Sequence, residues 1–590
     1  MKVKHLFAIG MIGLFAATAG FAAGRSDVAD AAMRGDSAAV RALITQGADV
    51  NARQGDGSTA LHWAVYKGNI AMMEALIAAG ADVKAATREG ATPLYLASVN
   101  ADAAALAALL KAGADANQPL RQGKTALMEA SRSGNVEAIR VLLDHDANVN
   151  AKETLRGTTA LMWAASEGHA AAIQLLIERG ADFSTRSASA PRSTRGGGTG
   201  GKGGDPRKAI AALAAAIAAT QAGADQSVLS AAAEASLRGG ANTPSSTPVT
   251  AANAAATLAA LDNDQDDAPA RGGTNDGGEL TPLIYAVKAN SLESVKVLLA
   301  AGADVNQVAG YGWSPLLVAT RNCFYQLGAF LLDRGADPNL TNRGGWTPLY
   351  LATDNRNIEG GDYPVRKSDM DHLEFIKLLL DKGANVNARV RDNTDTRTVF
   401  TGQWLEENGA TAFFRASQSG DVVLMKLLLS HGADPQISTV LGVTPLQVAS
   451  GIGWVEGITY EWSREQTLQA VKLLLELGLD PNSQAATGRT SLHGAATKGA
   501  TAVVQVLVDH GARLDVRDYG NTDNRGSVQM ATHTWLPVDY ADGLVRTGVQ
   551  SAIPRPETGL LIRKLMAERG MFVPPVGRTV ASVCIVELCK

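Results

Sequence analysis

The sequence predicts an all-α solenoid of about twelve helix-turn-helix units with finger loops, interrupted by a long low-complexity insert. Two observations support this prediction. A four-residue phrase of the type Thr-Pro-Leu-Tyr recurs ten times, and uninterrupted copies such as those at Thr59, Thr92 and Thr125 start 33 residues apart. A Gly-Ala-Asp triplet lies about two-thirds of the way through most copies, as at Gly80 and Gly302. A fixed period of this length is typical of stacked repeats.

Each copy contains the signals for two helices. Threonine is a good N-cap, proline suits the first helical turn, and the following leucine begins an apolar stripe, so a first helix starts at the phrase. A glycine such as Gly134 ends this helix, and an apolar run predicts a second, antiparallel helix that ends at a glycine such as Gly302. The polar residues Asp304 and Asn306 then predict the turn of a projecting finger.

The phrase, its period and the Gly-Ala-Asp triplet resemble the ankyrin repeat. The resemblance covers nearly the whole chain except a leader, one insert and the tail. It implies a stack that binds protein partners through its fingers and first helices, and that usually contains no catalytic pocket. The last third, with Trp404-Leu-Glu-Glu, Gly453-Trp-Val-Glu-Gly and a Cys-ending tail, resembles bacterial ankyrin-repeat proteins without an assigned activity.

Departures from the repeat phase predict the organisation of the chain. The predicted segments are a signal peptide (1–23), repeats with an N-terminal cap (24–183), a disordered Gly/Ala/Ser-rich insert (184–278), repeats with loop insertions (279–570) and a C-terminal tail (571–590). Extra residues separate the two helices in the copies at Thr347, Thr444 and Leu536, and lengthen the fingers after Gly180, Gly383 and Gly511.

The relation between the two repeat segments has two interpretations. The unit at Thr281 lacks the charged exterior of an end cap, which favours one continuous stack with the insert looped out, since a longer flexible loop costs little extra entropy. Two separate stacks are the alternative.

The first residues predict the cellular location. Lys2 and Lys4 precede an apolar stretch that ends in small residues near Ala19 and Ala22, the pattern of a secretory signal peptide. We expect a periplasmic or secreted bacterial protein with no stable membrane insertion after cleavage. An uncleaved membrane anchor is the alternative.

Composition and motifs argue against several classes of function. A net charge of −4 does not favour nucleic-acid binding. The glycine tract before Lys202 imitates a phosphate loop, but Gly203 stands where a serine or threonine should bind magnesium. No catalytic motif is present, and the carboxylates of Glu406, Glu407, Glu456 and Glu461 are interpreted as solvated surface groups. The sequence therefore predicts no enzyme activity, no cofactor and no metal.

The cysteines leave one question open. Cys323 is interpreted as a small buried side chain in a helical stretch. Cys584 and Cys589 are the only close pair, and an exported protein meets oxidising conditions, so a disulfide between them is one alternative. Residues five apart in a strand face opposite sides, which favours the other alternative, two thiols.

Aromatic residues near the fingers and in the loop insertions are the candidate partner-binding residues. Protein interfaces favour Trp and Tyr as anchors. The candidates are Tyr311, Trp313, Trp346, Phe400, Trp404, Trp454, Tyr460 and Trp462. For each ring the alternative is that it fixes an inserted loop onto the stack. Trp63 and Trp163 are interpreted as core residues.

These observations predict a non-catalytic protein–protein interaction scaffold that binds one or more protein partners through its fingers, concave groove and aromatic insertions. The alternative, from a different class, is a cell-wall carbohydrate-binding or hydrolytic protein that uses the aromatic loops.

Overall fold

Twelve helix pairs make up the described part of the protein. The computed structural model describes residues 26–189, 278–357, 367–391, 407–456, 459–520, 534–545 and 552–579. Within these ranges there are 24 α-helices, and the β-structure is limited to an isolated bridge between Ser189 and Gly278. The predicted all-α repeat fold is confirmed.

The helix pairs belong to two compact units, of which the first ends at Thr185 and the second begins at Arg186. The first unit contains repeats 1–5, with α1 (Asp27–Arg34), α2 (Ser37–Thr45), α3 (Ala60–Tyr66), α4 (Ile70–Ala78), α5 (Pro93–Val99), α6 (Ala103–Lys111), α7 (Ala126–Ser133), α8 (Val136–Asp144), α9 (Ala160–Ser166) and α10 (Ala170–Glu178).

The second unit contains repeats 6–12. Its helices are α11 (Pro282–Lys288), α12 (Leu292–Ala300), α13 (Pro315–Arg321), α14 (Tyr325–Asp333), α15 (Pro348–Arg356), α16 (His372–Asp381), α17 (Ala412–Gln418), α18 (Val422–Ser430), α19 (Pro445–Ser450), α20 (Arg464–Glu476), α21 (Ser491–Lys498), α22 (Thr501–Asp509), α23 (Pro537–Ala541) and α24 (Pro556–Glu568). Odd-numbered helices are the first helices of their repeats, and even-numbered helices are the second.

The repeated phrase starts the first helices as predicted. The hydroxyl of Thr92 accepts a hydrogen bond from the Tyr95 N–H at 3.2 Å, and Pro93 occupies the first helical turn. The leucine of the phrase then enters the core within each unit, where neighbouring first helices pack side by side. At this position no side chain is more than 3% exposed: Leu61, Leu94, Leu127, Leu161, Leu283, Leu316, Leu349, Phe413, Leu446 and Leu492.

In three repeats the fourth residue of the phrase links neighbouring repeats. His493 Nδ1 accepts the Thr490 N–H at 3.0 Å, and its Nε2 lies 3.2 Å from the Trp535 carbonyl oxygen of the next repeat. His62 makes the same contacts in repeat 2. Gln447 replaces the imidazole in repeat 10, since its Oε1 accepts the Thr444 N–H at 2.8 Å. Burial lowers the pKa of His493 to about 3.

The buried neutral imidazole of His493 predicts a loss of stability in acid. The unfolded chain binds this proton near pH 6.5, whereas the folded protein binds it only near pH 3. The free energy of unfolding should therefore fall as the pH drops from about 6.5 towards 3, by up to about 1.4 kcal/mol per pH unit from this residue. His493→Gln, which imitates Gln447, should remove that part of the slope in urea denaturation followed by circular dichroism. The exposed His510→Gln is the matched control, and equal slopes for His493→Gln and the wild type would contradict the prediction.

Asparagine side chains bridge consecutive repeats beside the fingers. Asn306 Nδ2 donates to the Gly335 carbonyl at 3.0 Å, and its Oδ1 accepts the Asp337 N–H at 2.7 Å. The same bridge is made by Asn51, Asn117, Asn150, Asn339, Asn387 and Asn482. The sequence predicted only a local turn for this residue type, so its role between repeats was missed.

The long fingers are closed in the same way as the short ones. In an ordinary finger the Thr87 N–H donates to the Ala91 carbonyl at 2.9 Å. The equivalent bonds in the three extended fingers are Ser187 to Leu280, Val390 to Ala410 and Asp518 to Trp535. These closures agree with the predicted insertion points in the finger loops. Most of the predicted disordered insert lies outside the described residues. Cys584 and Cys589 also lie outside them.

An arginine reinforces the base of each extended finger. Arg389 Nε donates to the Gly409 carbonyl at 2.9 Å, Arg517 Nη1 to the Thr534 carbonyl at 2.7 Å, and Arg186 Nη1 to the Glu279 carbonyl at 3.4 Å. Each arginine is the sixth residue after the glycine that ends the preceding second helix.

Cys323 does not lie within a helix, contrary to the sequence prediction. Helix α13 ends at Arg321, and Cys323 follows in the turn with a φ of 59°. It remains buried, with 3% of its surface exposed. The left-handed backbone conformation here corresponds to the position at which other repeats use glycine, for example Gly134 with a φ of 73°.

Candidate protein-interaction surfaces

Successive finger tips are joined by backbone hydrogen bonds. The Arg343 N–H donates to the Tyr311 carbonyl at 2.7 Å, and the Tyr519 N–H donates to the Thr487 carbonyl at 3.0 Å. The glycine beside each tip permits this approach. Gly488 has a φ of 73°, and an added Cβ there would lie 2.6 Å from the Tyr519 nitrogen. Within the described residues, these bonds tie the tips of neighbouring fingers to one another.

First helices and fingers share one face of the repeats, which we call the finger face. Trp63 and Trp163, each four residues after the phrase threonine, lie on it, because they contact finger residues. Trp63 Nε1 donates to Gln54 Oε1 at 2.6 Å, and Lys124 Nζ lies 5.6 Å from the centroid of the Trp163 ring. Gln54 and Lys124 both precede a first helix in the finger.

Two predicted partner-binding residues are buried in the core. Trp313 and Trp346 are each 1% exposed. The Arg321 guanidinium covers the Trp313 ring at 4.7 Å, and Trp346 packs edge-on against Tyr350 with ring centroids 4.8 Å apart. For these two residues the structure favours the alternative interpretation, a packing role. They have almost no surface to offer a partner, contrary to the sequence prediction for these two residues.

Tyr311 is half-buried at a finger tip. Its backbone is in the left-handed region with a φ of 56°, and the Arg343 guanidinium lies 5.4 Å from its ring centroid. The ring is thus part of the finger face and keeps a partly exposed surface. The neighbouring candidates Phe400 and Trp404 lie outside the described residues.

The loop between α19 and α20, residues 451–463, brings together the other three candidates. We call it the repeat-10 loop; residues 457–458 are outside the described part. Trp454, Tyr460 and Trp462 are all half-buried in it, and the last two rings meet edge-on with centroids 5.7 Å apart.

Contacts from four other repeats hold the repeat-10 loop. Trp462 Nε1 donates to Asn357 Oδ1 at 2.9 Å, and its backbone N–H donates to the Ser419 carbonyl at 3.2 Å. The Trp454 ring lies 5.8 Å from Lys498 Nζ and 5.9 Å from the Arg555 guanidinium. The loop therefore folds back along repeats 8 to 12. Its rings are fixed onto the stack, and each retains part of its surface.

A buried polar cluster lies beneath one end of this loop. Arg415, 1% exposed, donates to Asp354 Oδ1 at 3.0 Å, to Ser419 Oγ at 2.9 Å and to the Asn357 carbonyl. Beside it, Arg356 Nε donates to Asp421 Oδ2 at 2.7 Å, and the Arg356 guanidinium covers the Trp462 ring at 4.5 Å. The cluster couples the ends of α15 and α17 to the loop.

Three of the four carboxylates considered for acid–base chemistry have partners, and the fourth, Glu406, lies outside the described residues. Glu407 accepts a hydrogen bond from the Tyr350 hydroxyl at 3.0 Å, and Glu456 pairs with Arg555 at 2.9 Å. Glu461 pairs with Lys498 at 2.9 Å and accepts a hydrogen bond from Thr467. Burial alone would raise the pKa of Glu461, but Lys498 and Thr467 outweigh it, so the net shift is downward. These contacts explain the three residues as structural groups, and Glu407, 1% exposed, is not the solvated surface group that the sequence predicted.

A set of aromatic side chains that the sequence did not predict to bind a partner lies in the first helices of the first unit. Tyr66 is 48% exposed and packs edge-on against Trp63 at 5.8 Å. Tyr95 and Trp163 are half-buried, and the Tyr95 hydroxyl donates to Glu129 at 2.9 Å. Burial raises the pKa of Tyr95 above its ordinary value. The sequence predicted that Trp163 lies in the core. In the structure its ring is half-buried and keeps part of its surface exposed.

Comparison with known families identifies the repeat. A family model described as "Ankyrin repeats (3 copies)" matches residues 28–119, 101–187, 250–342, 283–390, 331–437 and 462–523, which together make up more than half of the chain. The chain belongs to the ankyrin-repeat family. The helix pairs within the matched residues are therefore ankyrin repeats, and the finger face is the side formed by their fingers and first helices.

Similar ankyrin proteins occur in several eukaryotes. The chain is 26% identical over 174 residues to the human SH3 and multiple ankyrin repeat domains protein 2, covering 26% of this chain and 8% of that protein. It is 24% identical over 207 residues to the E3 ubiquitin-protein ligase KEG of Arabidopsis thaliana, covering 34% and 11%. It is 28% identical over 166 residues to a transient receptor potential cation channel subfamily A member 1 homolog of Caenorhabditis elegans, covering 25% and 12%. Each match thus spans a small part of the relative's length.

Among the residues that the structure describes, no group of three or more His, Cys, Asp or Glu side chains is arranged to hold a metal ion. None of the helices in the same ranges is both long and apolar enough to cross a membrane.

Proposed function

We propose that the protein is a non-catalytic ankyrin scaffold that binds protein partners through its finger face and its repeat-10 loop. The observation that carries this proposal is the presence of partly exposed rings on the first helices of several repeats. Tyr66 in repeat 2, Trp163 in repeat 5 and Tyr285 in repeat 6 all lie four or seven residues after the phrase threonine. Large aromatic side chains bury much area at little entropic cost, which makes them good interface anchors.

The arrangement of polar groups also favours binding over catalysis. The described carboxylates considered as acids or bases are held by Tyr350, Arg555 and Lys498. A general acid or base needs to reach a reacting atom, and groups engaged in this way serve the fold instead.

Partner capture tests the binding role. The full-length protein is immobilised and used to capture proteins from a bacterial periplasmic extract, and bound proteins are identified by mass spectrometry. Tyr66→Ala with Trp163→Ala should reduce recovery of specific partners, because both rings lose their contact surface. Val423→Ala on the second helix α18, where the side chain is 54% exposed, is the matched control. Unchanged capture by the double variant, together with glycan binding or hydrolysis, would overturn the proposal.

We also propose export to the periplasm through cleavage of the leader. The support is the basic start followed by an apolar stretch and small residues before position 24. Expression of the full chain in a Gram-negative host should give a periplasmic protein whose N-terminal sequencing starts between residues 20 and 24. A cytosolic protein that retains residues 1–23 would contradict this proposal.

A further inference from the structure

We propose that the first helices of repeats 1–3 bind an amphipathic α-helix of a partner protein, which has an apolar face and acidic residues along one flank. This inference rests on the proposed scaffold function and adds the chemistry of the partner. The surface, called the apolar patch, consists of Met33, Tyr66, Leu96 and Val99 together with the underlying ring of Trp63.

Exposed apolar side chains mark the patch. Met33 is 39% exposed and Tyr66 is 48% exposed, while Leu96 and Val99 are half-buried. Each of them lies four or seven residues after the N-cap of α1, α3 or α5, so they occupy equivalent places on three first helices. Helix α3 packs against both α1 and α5. A contiguous apolar surface of this kind is typical of an interaction site.

The finger of repeat 1 fixes one side of the patch. Gln54 Oε1 accepts a hydrogen bond from Trp63 Nε1 at 2.6 Å, and Gln54 Nε2 lies 3.8 Å from Met33 Sδ. The same Nε2 donates to Asp30 Oδ1 at 2.6 Å. The Tyr66 ring packs edge-on against Trp63, with centroids 5.8 Å apart. These contacts hold the rings in place before a partner arrives, which reduces the entropy lost on binding.

Two cations border the patch at the ends of its helices. Arg34 is the last residue of α1 and Lys67 follows α3, each eight residues after the N-cap and next to an exposed residue of the patch. Both side chains are exposed, and among the described residues neither takes part in an ion pair. Their positive charge therefore favours a partner with carboxylates along this border.

The acidic side chains of the same repeats serve the local fold. Asp30 accepts the hydrogen bond from Gln54, and Asp36 caps α2 by accepting the Ala39 N–H at 2.9 Å. Asp56 accepts both the N–H and the hydroxyl of Ser58 at 2.8 Å. These carboxylates are engaged within the fingers and at a helix start, so the charged border of the patch is cationic.

Repeat 4 ends the patch. The positions four and seven residues after Thr125 are Glu129 and Arg132, which form an ion pair at 2.8 Å. Glu129 also accepts the hydroxyl hydrogen bond of Tyr95 at 2.9 Å. The apolar surface is thus limited to three repeats, the first of which is the end of the unit.

The chemistry of the patch favours a helix over an extended peptide. A helix satisfies its own backbone hydrogen bonds and presents an apolar face, as the patch requires. Packed helices lie about 8–10 Å apart. Seven residues of a helix rise about 10.5 Å, so apolar residues in a heptad pattern can meet one repeat each when the partner lies across the first helices.

Fluorescence anisotropy with the full-length protein tests the inference. The probe is a labelled helix of about fifteen residues, with leucines in a heptad pattern and glutamates along one flank. One comparison peptide has lysines in place of the glutamates, and another has the same composition with the leucines spread around the helix. We expect the glutamate probe to bind best, and its binding to weaken as salt is raised.

Tyr66→Ala should weaken binding of the glutamate probe at least about tenfold, because an exposed ring at the centre of the patch is lost. Leu155→Ala is the matched control, since this side chain is 64% exposed on a finger outside the patch. It should bind the probe as the wild type does. Circular dichroism of both variants verifies that the helices are retained.

Arg34→Glu with Lys67→Glu tests the acidic flank. This reversal should weaken binding about tenfold and abolish the preference for glutamate over lysine in the peptide, because like charges then face each other. Arg41→Glu with Lys111→Glu changes the net charge equally on the second helices α2 and α6, and should leave binding unchanged.

Three results would overturn the inference. They are equal binding of the probe by Tyr66→Ala and the wild type, equal binding of the glutamate probe and either comparison peptide by the wild type, and a dimer in analytical ultracentrifugation that Tyr66→Ala dissociates while the probe does not bind. The last result would make a second copy of the chain the occupant.

The two proposals can fail separately. If the probe does not bind while capture that depends on Tyr66 and Trp163 persists, the scaffold function stands and the inferred helix partner is wrong. If the double variant captures the same proteins as the wild type while probe binding depends on Tyr66, the helix-binding patch stands and the proposed capture through these rings is wrong.

Discussion

Arg415→Met is expected to lower the free energy of unfolding of the second unit by about 3–5 kcal/mol. The substitution keeps a side chain of similar length but removes a guanidinium that is 1% exposed. Asp354, whose side chain is 11% exposed, then loses its counterion, and the Asn357 carbonyl loses a donor. Taking one member from a buried ion pair leaves the other charge desolvated without compensation, which is the main cost. Urea denaturation followed by circular dichroism measures the change.

Two further variants make this result specific. Lys377→Met breaks the exposed pair of Lys377 with Asp381 on α16, and should change stability very little because solvent screens this pair. Arg415→Met combined with Asp354→Leu removes both charges and should recover much of the loss, because apolar replacement of a whole buried pair is often neutral. A single Arg415→Met variant as stable as the wild type would contradict the role assigned to this cluster.

Gly494→Ala is expected to destabilise the second unit by about 1–3 kcal/mol, the usual cost of overpacking. Gly494 lies inside α21, where helix propensity alone predicts a gain of roughly 1 kcal/mol for alanine. The lack of space makes the net change in stability unfavourable, because the new Cβ would lie 2.7 Å from the Ile452 nitrogen and 2.9 Å from the Gly451 carbonyl carbon. Both are backbone atoms at the start of the repeat-10 loop, so relief requires the loop to shift.

Gly55→Ala is the control for this substitution. Gly55 is in a finger, and a Cβ there would meet no atom within 4 Å. It should alter the denaturation midpoint very little. A Gly494→Ala variant that is more stable than the wild type would show that the close approach of α19 and α21 is easily relieved.

Local signals made the helices predictable from sequence. The N-cap threonine, the proline that follows it in some copies and the buried leucine all act within a few residues of one another, as at Thr92 and Thr347. The finger insertions were also predictable. An inserted segment lengthens one interval between repeat positions, whereas the intervals before and after it keep their usual length.

The candidate site depended on contacts that a repeat count cannot supply. Arg415 meets Asp354 across 61 residues, and Trp462 meets Asn357 across 105, through loops of irregular length. The exposure of a ring likewise depends on its surroundings in the folded chain, since Trp346 is 1% exposed and Tyr66 is 48% exposed. The position of a residue within its repeat therefore predicted which helix or finger carries it. The contacts and exposure of its side chain depend on residues far away in sequence.

The closing bond of a finger joins Thr87 to Ala91 in one repeat and Ser187 to Leu280 in another. The same two backbone groups meet in the short and the long finger. Additional residues can therefore be inserted at the tip without changing the register of the helices on either side. Lengthening such a loop costs entropy only logarithmically. New binding segments can thus be acquired by this protein one tip at a time, while the helical framework that presents them stays the same.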